Sequence, residues 1–172
     1  MAVLKRIHHL DVLAFYWCMA RKRRVFFTNV SRKVSFTADG PFYALIAALL
    51  YFYDQSQWLI ALLSAFLLER CLYFLAKNSF KRHRPAEALD NFKSFIRPSD
   101  HFSFPSGHTS GAFLIAYFLS EWIPELNVCW YFWALNIAFS RVFLGVHFPT
   151  DTVMGAVLGS GCAFIAIGVL IG

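Results

Sequence analysis

The sequence predicts an all-α fold: a polytopic helical bundle set in a membrane, with about five transmembrane helices behind an N-terminal interfacial helical segment. Three observations carry that reading. The 172 residues are 58% hydrophobic and 19% aromatic, more apolar surface than the interior of one small globule can take up. Only 15% are charged, where a soluble domain carries about 25%. The polar residues also gather at the edges of long apolar segments, as they do where helices leave a bilayer.

The elements follow in order. Residues 1–40 are mixed, and the run Val12–Ala20 is too short to span. It precedes Arg21-Lys22-Arg23-Arg24, the pattern of a segment lying along the interface. The start MAVLKRIHHLDVL lacks the apolar run and cleavage site of a signal peptide, so insertion is expected to rest on the helices themselves. Apolar segments then cover residues 41–54, 57–76, 107–123, 127–144 and 152–172. A helix of about 20 residues rises about 30 Å, the thickness of the hydrocarbon core. The polar stretch 77–105 is the one long connection and is expected to be the active-site loop of a single domain, 1–172. Cys18, Cys71, Cys129 and Cys162 lie in apolar surroundings without metal-ligand spacing and read as small core residues. Gly155 and Gly159 form a G-x-x-x-G pair suited to close packing within the bundle.

The net charge of +6 does not point to nucleic acid. The Lys and Arg residues flank apolar segments, which suits anionic head groups and a phosphorylated lipid. Three separated motifs refine this. They are Lys77 with Arg84-Pro85, then Pro105-Ser106-Gly107-His108, then Ser140-Arg141 with His147 and Asp151. If successive helices alternate direction, all three reach the same membrane face.

Lys77, Arg84 and Arg141 offer a clamp for phosphate oxygens, Arg through its planar fork and Lys as a point charge. Ser106 and Gly107 open a helix, where backbone N–H groups bind anions and the missing Cβ lets an oxyanion approach. His147 and Asp151, four residues apart, suggest an imidazole whose tautomer is fixed by a carboxylate, leaving the other nitrogen as a nucleophile. His108 is then the acid for the leaving oxygen and the base for water. No carboxylate cluster suggests a metal site: Asp90 and Asp100 read as isolated in the loop, and no cofactor is expected.

These motifs resemble those of the type 2 phosphatidic acid phosphatase (PAP2) superfamily, which includes vanadium haloperoxidases. Every motif position is filled, and Phe104 and Leu144-Gly145-Val146 are similar to those of its bacterial membrane members. The resemblance covers residues 77–151 closely. It implies a helical bundle, metal independence and a phosphohistidine intermediate on His147. It also implies a lipid phosphate substrate, such as undecaprenyl diphosphate, phosphatidylglycerophosphate or lipid A, which the motifs do not separate. The positive-inside rule alone would put the motif edge in the cytoplasm. The resemblance implies a bacterial inner-membrane protein with a periplasmic site, which is the arrangement expected. Phosphotransfer to a second lipid, and binding or transport without hydrolysis, stand as the alternative functions.

Overall fold

The computed structural model describes residues 2–20, 23–98 and 100–172, with side chains described from Arg6 onward except Ile7. Arg21 and Lys22 of the expected basic cluster lie outside the described residues. The chain is helical throughout, with no strand among the described residues. The helices are α1 (Ala2–Met19), α2 (Arg24–Phe36), α3 (Gly40–Phe52), α4 (Ser56–Phe80), the single turn α5 (Pro85–Ala88), α6 (Gly107–Trp122), α7 (Asn127–Phe143) and α8 (Pro149–Leu170).

Local chemistry sets their ends. α4 contains neither Gly nor Pro over 25 residues, so nothing interrupts it until Lys81 closes it in a left-handed conformation (φ 45°). α3 and α8 each begin with a proline in the first turn, where the missing N–H is not needed. Asp151 in the first turn of α8 accepts a bond from the backbone N–H of Phe148 at 2.8 Å, capping the helix.

Three stretches are long and apolar enough to cross a membrane: Arg24–Phe52, Ser56–Ala88 and Pro149–Leu170. α6 and α7, with 16 and 17 residues, rise only about 25 Å and fall short of that length. The five expected spans thus correspond to α3, α4, α6, α7 and α8, of which α3, joined to α2, α4 and α8 lie in stretches of spanning length. α2, placed by the sequence in the interfacial segment, forms one such stretch with α3.

The burial pattern is that of a lipid-embedded bundle. Leu63, Leu67, Phe74, Leu75, Phe132 and Phe164 are exposed, while Glu69, Lys77, Arg84, Arg141 and Asp151 are buried. α6 is central and packs against α8, α7 and α4. Leu62, Leu114, Ile115, Phe118 and Ala163 form the core between them. In lipid this contact rests on close van der Waals fit, which Gly155 and Gly159 of α8 permit. A Cβ at Gly159 would stand 1.9 Å from the Ser110 carbonyl oxygen, and one at Gly155 would stand 2.6 Å from that of Ser106. The cysteines divide: Cys162 is in the core, whereas Cys71 and Cys129 are exposed. The expectation of four core cysteines is therefore corrected, because Cys71 and Cys129 sit on outward faces of their helices.

α1 does more than lie along an interface. Its Phe15 is fully buried, with ring centroids 5.0 Å from Phe92 and 5.6 Å from Phe148, and its Asp11 is 3% exposed. This docks α1 against the turn between α7 and α8. The ends of four helices converge at that edge: the C-termini of α4 and α7 and the N-termini of α6 and α8.

Candidate active site

A cavity of about 420 Å³ opens at this convergence. Of the residues singled out in the sequence, Arg84, Gly107, His108, Arg141 and His147 line it. Lys77, Ser106 and Asp151 are buried and do not line it.

His147 follows a tight turn through Gly145, whose φ of +73° needs glycine, and precedes Pro149 of α8. Its ring is 3% exposed. Nδ1 donates to the Ser103 carbonyl oxygen at 2.7 Å, and a carbonyl can only accept. The proton is thereby held on Nδ1, and Nε2 keeps its lone pair. Asp151, expected to fix this tautomer, stands 3.7 Å from Nδ1, beyond hydrogen-bonding range. Its oxygens are taken instead by the Phe148 N–H and by Arg82 Nη1 at 2.7 Å. Burial lowers the His147 pKa to about 4, with Arg84 pressing the same way and Asp151 opposing, so the ring is neutral near pH 7.

The cations gather in front of Nε2. Arg84 Nη1 lies 3.5 Å from it and also donates to the Val146 carbonyl at 2.6 Å. Arg141 donates through Nη1 to Ser35 Oγ at 2.6 Å, while its Nε is buried without a hydrogen-bond partner. Arg141 lines the cavity, and a buried, unanswered guanidinium donor is what an anion would satisfy.

Asp100 is not isolated. It joins Lys77 (2.5 Å), Arg84 and the Tyr73 hydroxyl (2.8 Å), because the loop folds back over the end of α4. Burial alone would raise its pKa, but the bonds from Lys77, Tyr73 and Arg84 outweigh it and hold the carboxyl at about 2. Lys77 thus meets the cavity through Asp100 and Tyr73. Ser106 Oγ is 3.0 Å from Thr109 Oγ1, and its N–H donates to the Asp151 carbonyl, so its polar atoms serve the α6–α8 junction. Gly107 keeps the approach to Tyr73 open: a Cβ there would be 3.1 Å from the ring, a tight contact. His108 faces the cavity at the first turn of α6, its Nε2 3.0 Å from Asp39 Oδ1.

Residues that the motifs did not disclose complete the picture. Asp39 meets His108, and Arg82 bridges Asp151 to Asp11 (2.5 Å) while lying over the Phe148 ring. Asp11 also accepts from the Thr150 N–H and hydroxyl. Glu69, fully buried, is paired with Arg70. Lone Asp and Arg residues give no spacing pattern to find. Glu69-Arg70 interrupting an apolar run was the one visible sign. Among the described residues no group of three or more His, Cys, Asp or Glu side chains is arranged to hold a metal ion.

Two imidazoles and the two motif arginines around one cavity, drawn from three distant segments, are now matched by comparison. The family profile described as the PAP2 superfamily matches residues 58–170. The chain belongs to that superfamily. Phosphatidylglycerophosphatase B of Bacillus subtilis is 33% identical over 74% of this PAP2 chain and 66% of its own length. The undecaprenyl-diphosphatase of Sulfolobus acidocaldarius is 27% identical over 71% of this chain and 60% of its own length. The chain therefore spans under two thirds of these curated relatives. A solved transmembrane PAP2-type phosphatidylglycerolphosphate phosphatase from Bacillus subtilis superposes with a TM-score of 0.78 at 27% identity, covering 95% of this chain and 86% of that one. The PAP2 chain is an all-helical integral membrane protein.

Proposed function

We propose that the chain is a metal-independent lipid phosphatase of the bacterial inner membrane, hydrolysing a phosphate monoester or diphosphate of a lipid from the periplasmic side. One observation carries the reading: His147, whose Nε2 keeps its lone pair, lines one cavity with Arg141, whose buried Nε has no partner.

Nε2 attacks phosphorus in line, the bond to the leaving oxygen breaks, and a phosphohistidine forms. Arg84 and Arg141 hold the phosphoryl oxygens, Lys77 stands behind them through Asp100, which it shares with Arg84, and the start of α6 at Gly107 receives another face of the phosphate. Ser106 and Asp151 support this from behind, Ser106 at the α6–α8 junction and Asp151 by capping α8 beside His147. His108 protonates the leaving oxygen, then takes a proton from the water that cleaves the P–N bond. His108 enters as the imidazolium and is restored by the proton from water, the lipid leaving group and inorganic phosphate depart, and His147 regains its lone pair.

Purified protein incubated with several lipid phosphates, with and without EDTA, is expected to release phosphate at equal rates in both conditions. Activity that disappears with EDTA and returns with a divalent ion would contradict the reading. A labelled second lipid in place of free phosphate would turn it into phosphotransfer.

A further inference from the structure

α4 carries a further cation, Arg70, that lines the cavity and that the reaction above does not use. Arg70 lies seven residues before Lys77, which is two turns, so the two share a face about 10 Å apart along the axis. Lys77 is at the site edge, so Arg70 lies deeper, on the path by which a lipid tail reaches the bilayer core. Arg70 Cζ is 4.5 Å and Lys77 Nζ is 4.4 Å from the centre of the Tyr73 ring. Through that ring the two charges are no more than about 9 Å apart.

Arg70 lines the same cavity as Arg84, Arg141 and His147, beside Phe66 and Phe74. Its side chain is 44% exposed, whereas its partner Glu69 is fully buried and does not line the cavity. Glu69 takes Nε at 2.5 Å and Nη2 at 2.7 Å, and its Oε1 also accepts from Ser110 at 2.6 Å. The pair leaves Nη1 for another acceptor. Asp39 and Asp100 also line the cavity, each already engaged, by His108 and by Lys77 and Arg84. A charge kept halfway along a lipid-embedded helix is costly unless it has a use there. Neutralising Glu69 alone would not require a guanidinium open to the cavity.

Resting on the phosphatase reading, we infer that Arg70 is a specificity-determining residue: it holds a second phosphate, bonded directly to the one that His147 attacks, and so selects lipid diphosphates over monophosphates. The scissile phosphate sits with Arg84 and Arg141, the second phosphate reaches Arg70 one step deeper, and the chain leaves past Phe66 and Phe74.

The test compares a prenyl diphosphate with the monophosphate of the same chain, using the full-length protein in detergent. The Glu69→Gln/Arg70→Gln double variant removes both charges together and keeps an acceptor for Ser110. Its kcat/KM on the diphosphate is expected to fall about 30-fold, mostly through KM, with less than about 3-fold change on the monophosphate. Arg70→Lys, which keeps the charge without the fork, is expected to lie between and covers the case of a double variant that does not fold. Equal losses on both substrates in either variant, or no loss on the diphosphate, would overturn the inference while leaving the phosphatase reading intact. Wild-type protein that releases phosphate from neither substrate would overturn both.

Discussion

Two polar networks lie on opposite sides of the His147 ring, and they differ in what they leave unfilled. Behind it, Asp11, Arg82, Thr150 and Asp151 form a closed set: every carboxylate oxygen has a donor, and Arg82 is shared between two carboxylates. In front, Arg84, Arg141 and Lys77 outnumber the one carboxylate that joins two of them, Asp100, and a guanidinium nitrogen is unanswered. A closed network fixes position, and an open one accepts a ligand. On the proposed reading, the closed set fixes the start of α8 beside His147 and the open set receives the phosphate, although Arg residues serve in both.

The largest expected difference between the two sides is in activity. Arg141→Leu removes a donor from the open side and is expected to lower kcat/KM about 10³-fold, or about 4 kcal/mol, with little change in thermal midpoint. Arg82→Gln strikes the closed side. It leaves Asp11 and Asp151 buried without their shared cation, so a loss of about 3 kcal/mol in stability is expected, read as a lower midpoint in detergent. If the two variants exchanged these signatures, the division between the networks would fail.

A smaller effect tests the carboxylate on the open side. Asp100 competes with phosphate for Lys77 and Arg84, so Asp100→Asn is expected to strengthen inhibition by inorganic phosphate about tenfold, equivalent to about 1.4 kcal/mol. Weaker inhibition would mean that Asp100 arranges the cations instead of occupying them.

The pH dependence is the finest probe. The His147 pKa is about 4 in the folded chain against 6.5 ordinarily, so between these values the unfolded chain holds a proton that the folded one lacks. Stability from this group is complete above pH 6.5 and lost as pH falls toward 4. Asp100 acts in the same direction lower down, its contribution present above 3.8 and lost toward pH 2. The fall in midpoint from pH 7 to pH 4 is therefore expected to be shallower in His147→Gln than in the wild type. The acid limb of kcat/KM is expected near pH 4.

How much of this could be read in the sequence follows from where the information lies. Each motif residue is a polar type at the edge of an apolar helix, so Arg84, His108, Arg141 and His147 stand out along the chain, and alternating helices bring them to one cavity. Helix edges were legible for the same reason, within a few residues. The length of α4 was less so, because the apolar run ends at residue 76 while the helix continues through Lys77, Asn78 and Ser79 to Phe80. The partners were hidden. The acceptor for His147 is a backbone carbonyl, which has no residue type, and Asp100 reaches Lys77 only when the loop folds back across 23 residues. Ser106 was read with Gly107 as the start of an anion-binding helix, and the tight α6–α8 contact through Gly155 brings Thr109 and Asp151 to its polar atoms.

The most direct test is to quench the purified protein during turnover of a phosphorus-labelled lipid substrate and locate the label. The account predicts an acid-labile, base-stable phosphoryl group on His147, absent in His147→Ala, whose turnover falls by at least about 10³-fold. Label on another residue, or full turnover in His147→Ala, would contradict it.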